Sequence, residues 1–127
     1  MSYRGQILLV DDKPATSYMI TMILKLNDFD VAAYSEPELA LSNFDKGLYD
    51  LILMDVELPG TNGFELFKKM REIDDKVKIC FMTDRPATHI NKFKTSFPDL
   101  PSTSLAEKPV TSEDLLKVVG LSLADPK

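Results

Sequence analysis

Short, largely apolar segments alternate with helical patterns along almost the whole of this 127-residue chain. Four segments have the length of strands and a weaker fifth follows; they lie at 7–10, 31–34, 51–54, 77–82 and 104–107. Strands that are apolar at successive positions are typical of a parallel sheet, whose strands are buried on both faces. The alternation therefore predicts an α/β fold with helices on both faces of one parallel sheet.

Helices are predicted between and after these strands, over about 14–26, 35–47, 63–73, 87–97 and 111–121. Pro14 suits the first turn of the first helix. Ser35 and Glu38 form a capping-box pattern, which makes Ser35 the predicted N-cap of the second helix. Thr111 is a good N-cap for the last helix. Five strand–helix units favour the strand order 2-1-3-4-5 of a single three-layer, flavodoxin-like (βα)5 domain.

Length and composition narrow the function classes. A chain of 127 residues with 44% apolar residues suits one domain over residues 1–127, and we expect no effector domain in it. The net charge of -5 and the pI near 4.8 argue against direct nucleic-acid binding, which needs a basic face. No segment is long and apolar enough to span a bilayer, so we expect a cytoplasmic protein without membrane insertion.

Polar residues end four of the predicted strands. Asp11 and Asp12 follow the first strand, and Asp55 follows the third. Thr83 and Lys108 follow the fourth and the fifth. In an open parallel sheet, ligands bind beyond the carboxyl ends of the strands where the strand order reverses, here between strands 1 and 3. We therefore expect three carboxylates, a hydroxyl and an ammonium group to meet in one shallow cleft.

Three neighbouring carboxylates repel one another unless a cation offsets their charge. Mg²⁺ prefers hard oxygen ligands and binds through one or two carboxylates together with phosphoryl oxygens. A carboxylate can also attack a phosphoryl group to form an aspartyl-phosphate. Such a transfer needs cations and donors around the phosphoryl oxygens, which Mg²⁺, Lys108 and Thr83 would supply. The cluster therefore predicts Mg²⁺-dependent phosphoryl transfer to a carboxylate.

Short motifs at these strand ends resemble those of response-regulator receiver domains, and the resemblance covers essentially the whole chain. The motifs are Leu9-Val10-Asp11-Asp12, Leu53-Met54-Asp55 with Pro59-Gly60 and Asn62-Gly63, Met82-Thr83 and Lys108-Pro109. Each motif alone would be weak. Their order along the chain, each at a strand end, makes the match specific.

The resemblance implies that Asp55 is the phosphoacceptor. Asp12 would bind Mg²⁺ directly, and Asp11 would bind it partly through water. The backbone carbonyl of Glu57 would complete the protein ligands. The donor implied is a phosphohistidine on a sensor histidine kinase or a histidine phosphotransfer protein, and the signal would pass to a downstream protein partner.

The same resemblance implies roles for the other strand-end residues. Thr83 would turn its hydroxyl toward the phosphoryl group, and Lys108 would pair with a phosphoryl oxygen. The Lys108–Pro109 peptide bond is expected to be cis. Such a domain is not an enzyme beyond its own Mg²⁺-dependent phosphorylation and autodephosphorylation.

Three positions depart from the receiver pattern. Leu105 occupies the site of an aromatic residue three positions before the lysine, so coupling between Thr83 and a swinging ring cannot operate in its usual form. Asp84 stands beside Thr83 where a small residue is usual. Glu57 is an acidic side chain able to reach the hydrolytic water. We expect that the phosphorylation chemistry is retained while the signal output is altered.

Other functions remain as alternatives. Leu105 and Asp84 would suit a phosphorylation-independent (pseudo-receiver) interaction module. A phosphatase with an aspartyl nucleophile is disfavoured because Asp11 and Asp12 are adjacent, whereas that class needs Asp-x-Asp. A flavin-binding flavodoxin is disfavoured because no hydroxyl- and glycine-rich loop follows the first strand.

Three further residue types have simpler interpretations. Cys80 is the only cysteine, so an intrachain disulfide is excluded, and a buried inert thiol is expected. His89 is the only histidine and is expected to have a surface role, away from the strand ends. Met19 and Met22 lie at helical spacing, and we expect them to pack in the core.

Overall fold

The five predicted strands form one parallel sheet in the computed structural model, which describes residues 4–108 and 111–124. The strands are β1 (Gly5–Val10), β2 (Phe29–Tyr34), β3 (Leu51–Asp55), β4 (Lys78–Thr83) and β5 (Leu105–Glu107). Neighbouring strands pair in the order 2-1-3-4-5, and every pair is parallel. The predicted topology is confirmed.

Helices follow the strands as predicted. They are α1 (Pro14–Leu26), α2 (Pro37–Ser42), α3 (Gly63–Ile73), α4 (Pro86–Ser96) and α5 (Ser112–Ala124). A short antiparallel hairpin of Glu57–Leu58 and Thr61–Asn62 follows β3, and a 3-10 turn at Ser102–Ser104 precedes β5. The Thr111 hydroxyl oxygen accepts a bond from the Asp114 N–H at 3.0 Å, so the predicted cap of the last helix is present.

The second helix is shorter than predicted. Its N-cap residue is Glu36 rather than Ser35, and no side chain caps its start, so the predicted capping box is absent. Pro37 explains this, because a proline disfavours helical backbone at the residue before it and fits the first helical position itself. The helix ends at Ser42 rather than near Gly47, and the Asn43 side chain donates to the Leu39 carbonyl at 2.9 Å.

The core has two layers, one on each face of the sheet. Alternate residues of a strand point to opposite faces. Ile7 and Leu9 therefore pack with α1 and α5, whereas Leu8 and Val10 pack with α2, α3 and α4. Cys80 is buried in the first of these layers as predicted, and burial raises the pKa of its thiol to about 12. The three-layer arrangement is confirmed.

The buried face of α1 differs from the prediction. Ile20 and Leu24, one turn apart, are fully buried against the sheet. Met19 and Met22 are 39% and 43% exposed, so the prediction that they pack in the core is wrong. Apolar residues surround most of this helix, and periodicity alone therefore could not identify which strip faces the sheet. No helix among the described residues is long and apolar enough to cross a membrane.

Candidate functional site

The carboxyl edge of the sheet brings three carboxylates together. Asp11 and Asp12 directly follow β1, and Asp55 is the last residue of β3. One carboxylate oxygen from each of the three lies within 4.8 Å of the others. Asp11 and Asp55 are buried, and Asp12 is half-buried. The topology thus produces the acidic cluster predicted from the sequence.

The ammonium group of Lys108 lies between two of these carboxylates. Its Nζ is 2.9 Å from Asp11 Oδ2 and 3.2 Å from Asp55 Oδ2. The backbone N–H of Lys108 donates to the Thr83 carbonyl at 2.8 Å, which anchors the lysine at the end of β5. Its neighbour Pro109 lies outside the described residues, and so does the predicted cis peptide bond.

Burial and the neighbouring charges shift the pKa values of Asp55 and Lys108. Burial raises the pKa of Asp55, although the nearby ammonium of Lys108 opposes this change. Burial lowers the pKa of Lys108, but its bonds with Asp11 and Asp55 outweigh burial and raise the pKa overall. Both groups therefore hold a proton more strongly than usual. When ionised, the three carboxylates carry two negative charges more than Lys108 offsets, and the exposed ammonium of Lys13 lies 4.0 Å from Asp12 Oδ1.

Asp12 offers an oxygen without a hydrogen-bond donor. Its Oδ1 is buried and has no hydrogen-bond partner among the described residues, and the nearest cation is Lys13 Nζ at 4.0 Å. A buried carboxylate oxygen without a donor is costly unless a cation approaches it. The three carboxylates and their residual charge therefore fit a hard divalent cation such as Mg²⁺.

A close backbone approach fixes the loop after Asp55. A Cβ atom added to Gly63 would lie 2.4 Å from the Asp55 carbonyl oxygen, so only glycine fits there. The Gly63 N–H donates to the Val56 carbonyl at 2.8 Å, and the Glu57 N–H donates to Asp55 Oδ1 at 3.2 Å. The sequence motif includes Gly63, but nothing in the motif indicates that this glycine shapes the site.

The Glu57 side chain contacts the start of α4. Its carboxylate pairs with the Arg85 guanidinium, and its Oε2 lies 3.8 Å from His89 Nε2. These three residues line a cavity of about 710 Å³ together with Asp12 and others. His89 lies on α4 rather than at a strand end, and its side chain is 21% exposed at the wall of the cavity. Its surface role stays a prediction. Nothing in the sequence pattern signalled the Arg85 and His89 contacts.

The remaining predicted residues lie around this cavity or behind it. Thr83 is fully buried, and its hydroxyl oxygen accepts a bond from the Arg85 N–H at 3.0 Å. Asp84 lines the cavity, is exposed, and lies 3.9 Å from Arg85 Nε. Leu105 is half-buried and packs against the core layer formed with α3 and α4.

The fold and the site define a class of protein: a flavodoxin-like domain with an acidic cluster and a lysine at the carboxyl edge of its sheet. Residues 7–120 match the response regulator receiver domain family. Because the match covers most of the chain, the chain belongs to this family.

Individual relatives agree with this assignment. The DNA-binding response regulator MtrA of Mycolicibacterium smegmatis is 35% identical over 67% of this chain and 37% of its own length. The HemR receiver domain of Leptospira biflexa superposes with a TM-score of 0.84 at 18% identity, covering 98% of both chains.

A CheY-like receiver domain protein from Methanospirillum hungatei JF-1 superposes with a TM-score of 0.81 at 24% identity, covering 97% of this chain and 94% of that one. At such identities, the two solved structures show the fold alone. The chain spans between 31% and 51% of the length of curated relatives such as TrcR of Mycobacterium tuberculosis and YkoG of Bacillus subtilis.

Proposed function

We propose that Asp55 accepts a phosphoryl group from a phosphohistidine of a sensor histidine kinase or histidine phosphotransfer protein. The reaction depends on Mg²⁺, and the phosphorylated domain signals to a protein partner by a change of conformation. The observation that carries this proposal is the position of Lys108 between Asp11 and Asp55, beside an Asp12 oxygen that has no hydrogen-bond partner in the described part of the chain.

Asp55 is held in place for attack. Its Oδ1 accepts from the Glu57 N–H, and its Oδ2 accepts from Lys108. An Asp55 oxygen forms the new O–P bond while the P–N bond of the phosphohistidine breaks. The bonding electron pair stays on the imidazole nitrogen, which takes a proton from solvent. Fixing the nucleophile in this way is the main contribution a protein makes to phosphoryl transfer.

Asp11, Asp12, Asp55 and the backbone carbonyl of Glu57 would hold the metal ion. When bound, Mg²⁺ supplies positive charge that offsets repulsion between these carboxylates and the phosphoryl oxygens. Lys108 pairs with one phosphoryl oxygen. Thr83 Oγ1 accepts the Arg85 N–H through a lone pair and donates to no group among the described residues, so its O–H can donate to another phosphoryl oxygen.

The scope of the function follows from the same residues. The proposed chemistry is confined to phosphorylation and dephosphorylation of the chain's own Asp55, with no separate substrate. We propose that residues 1–127 act as a single cytoplasmic receiver domain, which contacts a protein partner rather than nucleic acid. The phosphorylation-independent alternative gains no support, because the residues proposed for the phosphoryl-transfer chemistry, namely Asp11, Asp12, Asp55, Thr83 and Lys108, are all present.

The test is Mg²⁺-dependent labelling with acetyl phosphate, followed by intact mass. Wild type should gain one phosphoryl group, and Asp55→Asn should gain none. Asp74→Asn is the matched control, because Asp74 is a buried carboxylate outside the site and this variant should be labelled like wild type. Equal labelling of wild type and Asp55→Asn would overturn the assignment of Asp55. A wild type that binds Mg²⁺ but stays unlabelled would overturn the proposed function.

A further inference from the structure

Arg85 joins the start of α4 to two separate parts of the site. It is the N-cap residue of α4. Its backbone N–H donates to Thr83 Oγ1 at 3.0 Å, and its guanidinium pairs with the Glu57 carboxylate. Thr83 ends β4, whereas Glu57 lies two residues after Asp55. A single residue therefore connects the helix to both sides of the proposed phosphoacceptor.

His89 lies one turn further along α4 and extends this connection into the core. Its Nε2 is buried without a hydrogen-bond partner in the described part of the chain and lies 3.8 Å from Glu57 Oε2. The imidazole packs edge-on against Phe64, at 6.3 Å between ring centroids. Phe64 in turn contacts Phe81 and Phe93. A shift of the first turn of α4 would therefore change the packing of this aromatic cluster.

The ion pair between Arg85 and Glu57 can be replaced by another contact of Arg85 at little energetic cost. The Arg85 side chain is 62% exposed and that of Glu57 is 34% exposed. Ion pairs with this much exposure contribute little to stability, so breaking one costs little. Leu105, at the position of the usual aromatic residue, cannot supply a polar or aromatic contact to Thr83. These observations single out the Arg85 contacts as a physical link from Asp55 to α4.

We propose that Arg85 is a positioning residue that couples phosphorylation of Asp55 to α4; this inference rests on the proposed function. An attached phosphoryl group carries about two negative charges near pH 7. The guanidinium, with five N–H donors, exchanges Glu57 for the phosphoryl oxygens, which are stronger charge-assisted partners. The N-terminal turn of α4 moves with Arg85, and the contact between Glu57 and His89 is lost.

The experiment is hydrogen–deuterium exchange of the full chain, with and without Mg²⁺ and acetyl phosphate, read at peptides covering 86–97. Intact mass of the same samples gives the phosphoryl occupancy, and variants are compared at matched occupancy. Phosphorylation of wild type should change deuterium uptake in α4. Arg85→Ala should show a several-fold smaller change. Arg85→Lys should show an intermediate one, because lysine keeps the charge but lacks the planar fork.

Two more variants separate this coupling from a general disturbance of α4. Lys92→Ala removes a cation that lines the same cavity on α4 and has no ion pair within residues 4–108 and 111–124, so its response should equal that of wild type. Glu57→Gln weakens the hold on Arg85 and should shift α4 uptake toward the phosphorylated pattern without any phosphoryl group.

The outcomes distinguish the two proposals. An unchanged α4 response in Arg85→Ala, at wild-type occupancy, would overturn the coupling while leaving the proposed function intact. So would a labelled wild type whose α4 uptake does not change. A wild type that is never labelled would overturn the proposed function and the coupling with it.

Discussion

Asp74 and Asp55 are buried carboxylates at opposite edges of the sheet, and their pKa values shift in opposite directions. At the amino edge, Asp74 accepts bonds from the N–H groups of Gly47 at 2.9 Å and Lys76 at 3.0 Å. The bond from Gly47 is the largest cause that lowers the pKa of Asp74. At the carboxyl edge, burial instead raises the pKa of Asp55, even with Lys108 beside it.

The difference separates a structural carboxylate from a functional one. Both oxygens of Asp74 have backbone donors, so its charge is satisfied by the fold itself. At the other edge, Asp12 Oδ1 has no donor within residues 4–108 and 111–124, and Asp11 and Asp55 share the ammonium group of Lys108. Under the proposed function, this edge would use its uncompensated charge to bind a cation and a phosphoryl group, at a cost to stability.

The largest effect expected is stabilisation by Mg²⁺. At about 100 times its dissociation constant, a ligand that binds only the folded state adds about 2.7 kcal/mol to the free energy of unfolding. Wild type and Asp74→Asn should both gain this, whereas Asp12→Asn should lose most of the gain. Urea unfolding in Mg²⁺ and in EDTA measures it. Equal gains in all three proteins would show that the metal binds elsewhere.

Next in size is the loss of the structural carboxylate. Asp74→Asn should lower the free energy of unfolding at pH 7 by about 1–3 kcal/mol, because one backbone N–H then faces an amide N–H₂. The lowered pKa of Asp74 means that this carboxylate stabilises the fold above the pKa of the unfolded chain, about 3.9. The contribution is lost as the pH falls through the lower folded-state pKa.

The difference between wild type and Asp74→Asn should therefore narrow on acidification below about pH 4. Urea unfolding of both proteins at pH 7 and near pH 3 measures this. A difference that does not depend on pH would mean that the charge of Asp74 plays no part.

At the carboxyl edge, removal of a carboxylate is expected to change the free energy of unfolding in the opposite direction. Without Mg²⁺, Asp12→Asn removes a charge repelled by Asp11 and Asp55, and should raise the free energy of unfolding by about 0.5–2 kcal/mol. Urea unfolding of Asp12→Asn and Asp74→Asn in EDTA shows whether the two variants change the free energy of unfolding in opposite directions. A loss of stability in Asp12→Asn would contradict the description of this cluster as mutually repelling.

The smallest effect expected is on the titration of the Asp55 and Asp74 carboxyl groups. In Mg²⁺-free buffer, the Asp55 carboxyl should titrate above the usual aspartate range and the Asp74 carboxyl below it. Carbon-13 NMR of the side-chain carboxyls resolves the order. The reverse order would remove the electrostatic contrast between the two edges.

Much of the functional site was predictable because topology alone places it. Apolar runs mark the strands, and the 2-1-3-4-5 order brings the carboxyl ends of β1 and β3 together. The positions of Asp11, Asp55 and Lys108 at strand ends therefore predict that their side chains meet. The amino edge was not predictable in this way. Asp74 reads as one of two acidic residues in a polar loop, and only the folded chain brings the Gly47 N–H to it.

Contacts between side chains from distant segments were also missed. The pairing of Glu57 with Arg85 spans 28 positions, and it depends on where two loops approach each other rather than on any periodic pattern. The exposure of Met19 and Met22 was not predicted for a related reason. Where most sides of a helix are apolar, the pattern does not show which side packs against the sheet.

The most direct test of the functional assignment locates the phosphoryl group itself. Wild type labelled with acetyl phosphate in Mg²⁺ should be digested quickly under acidic conditions, and its peptides sequenced by tandem mass spectrometry. The added mass should fall on Asp55 alone. A phosphoryl group found on another residue, or on none, would contradict the assignment of the carboxyl edge as a phosphoacceptor site centred on Asp55.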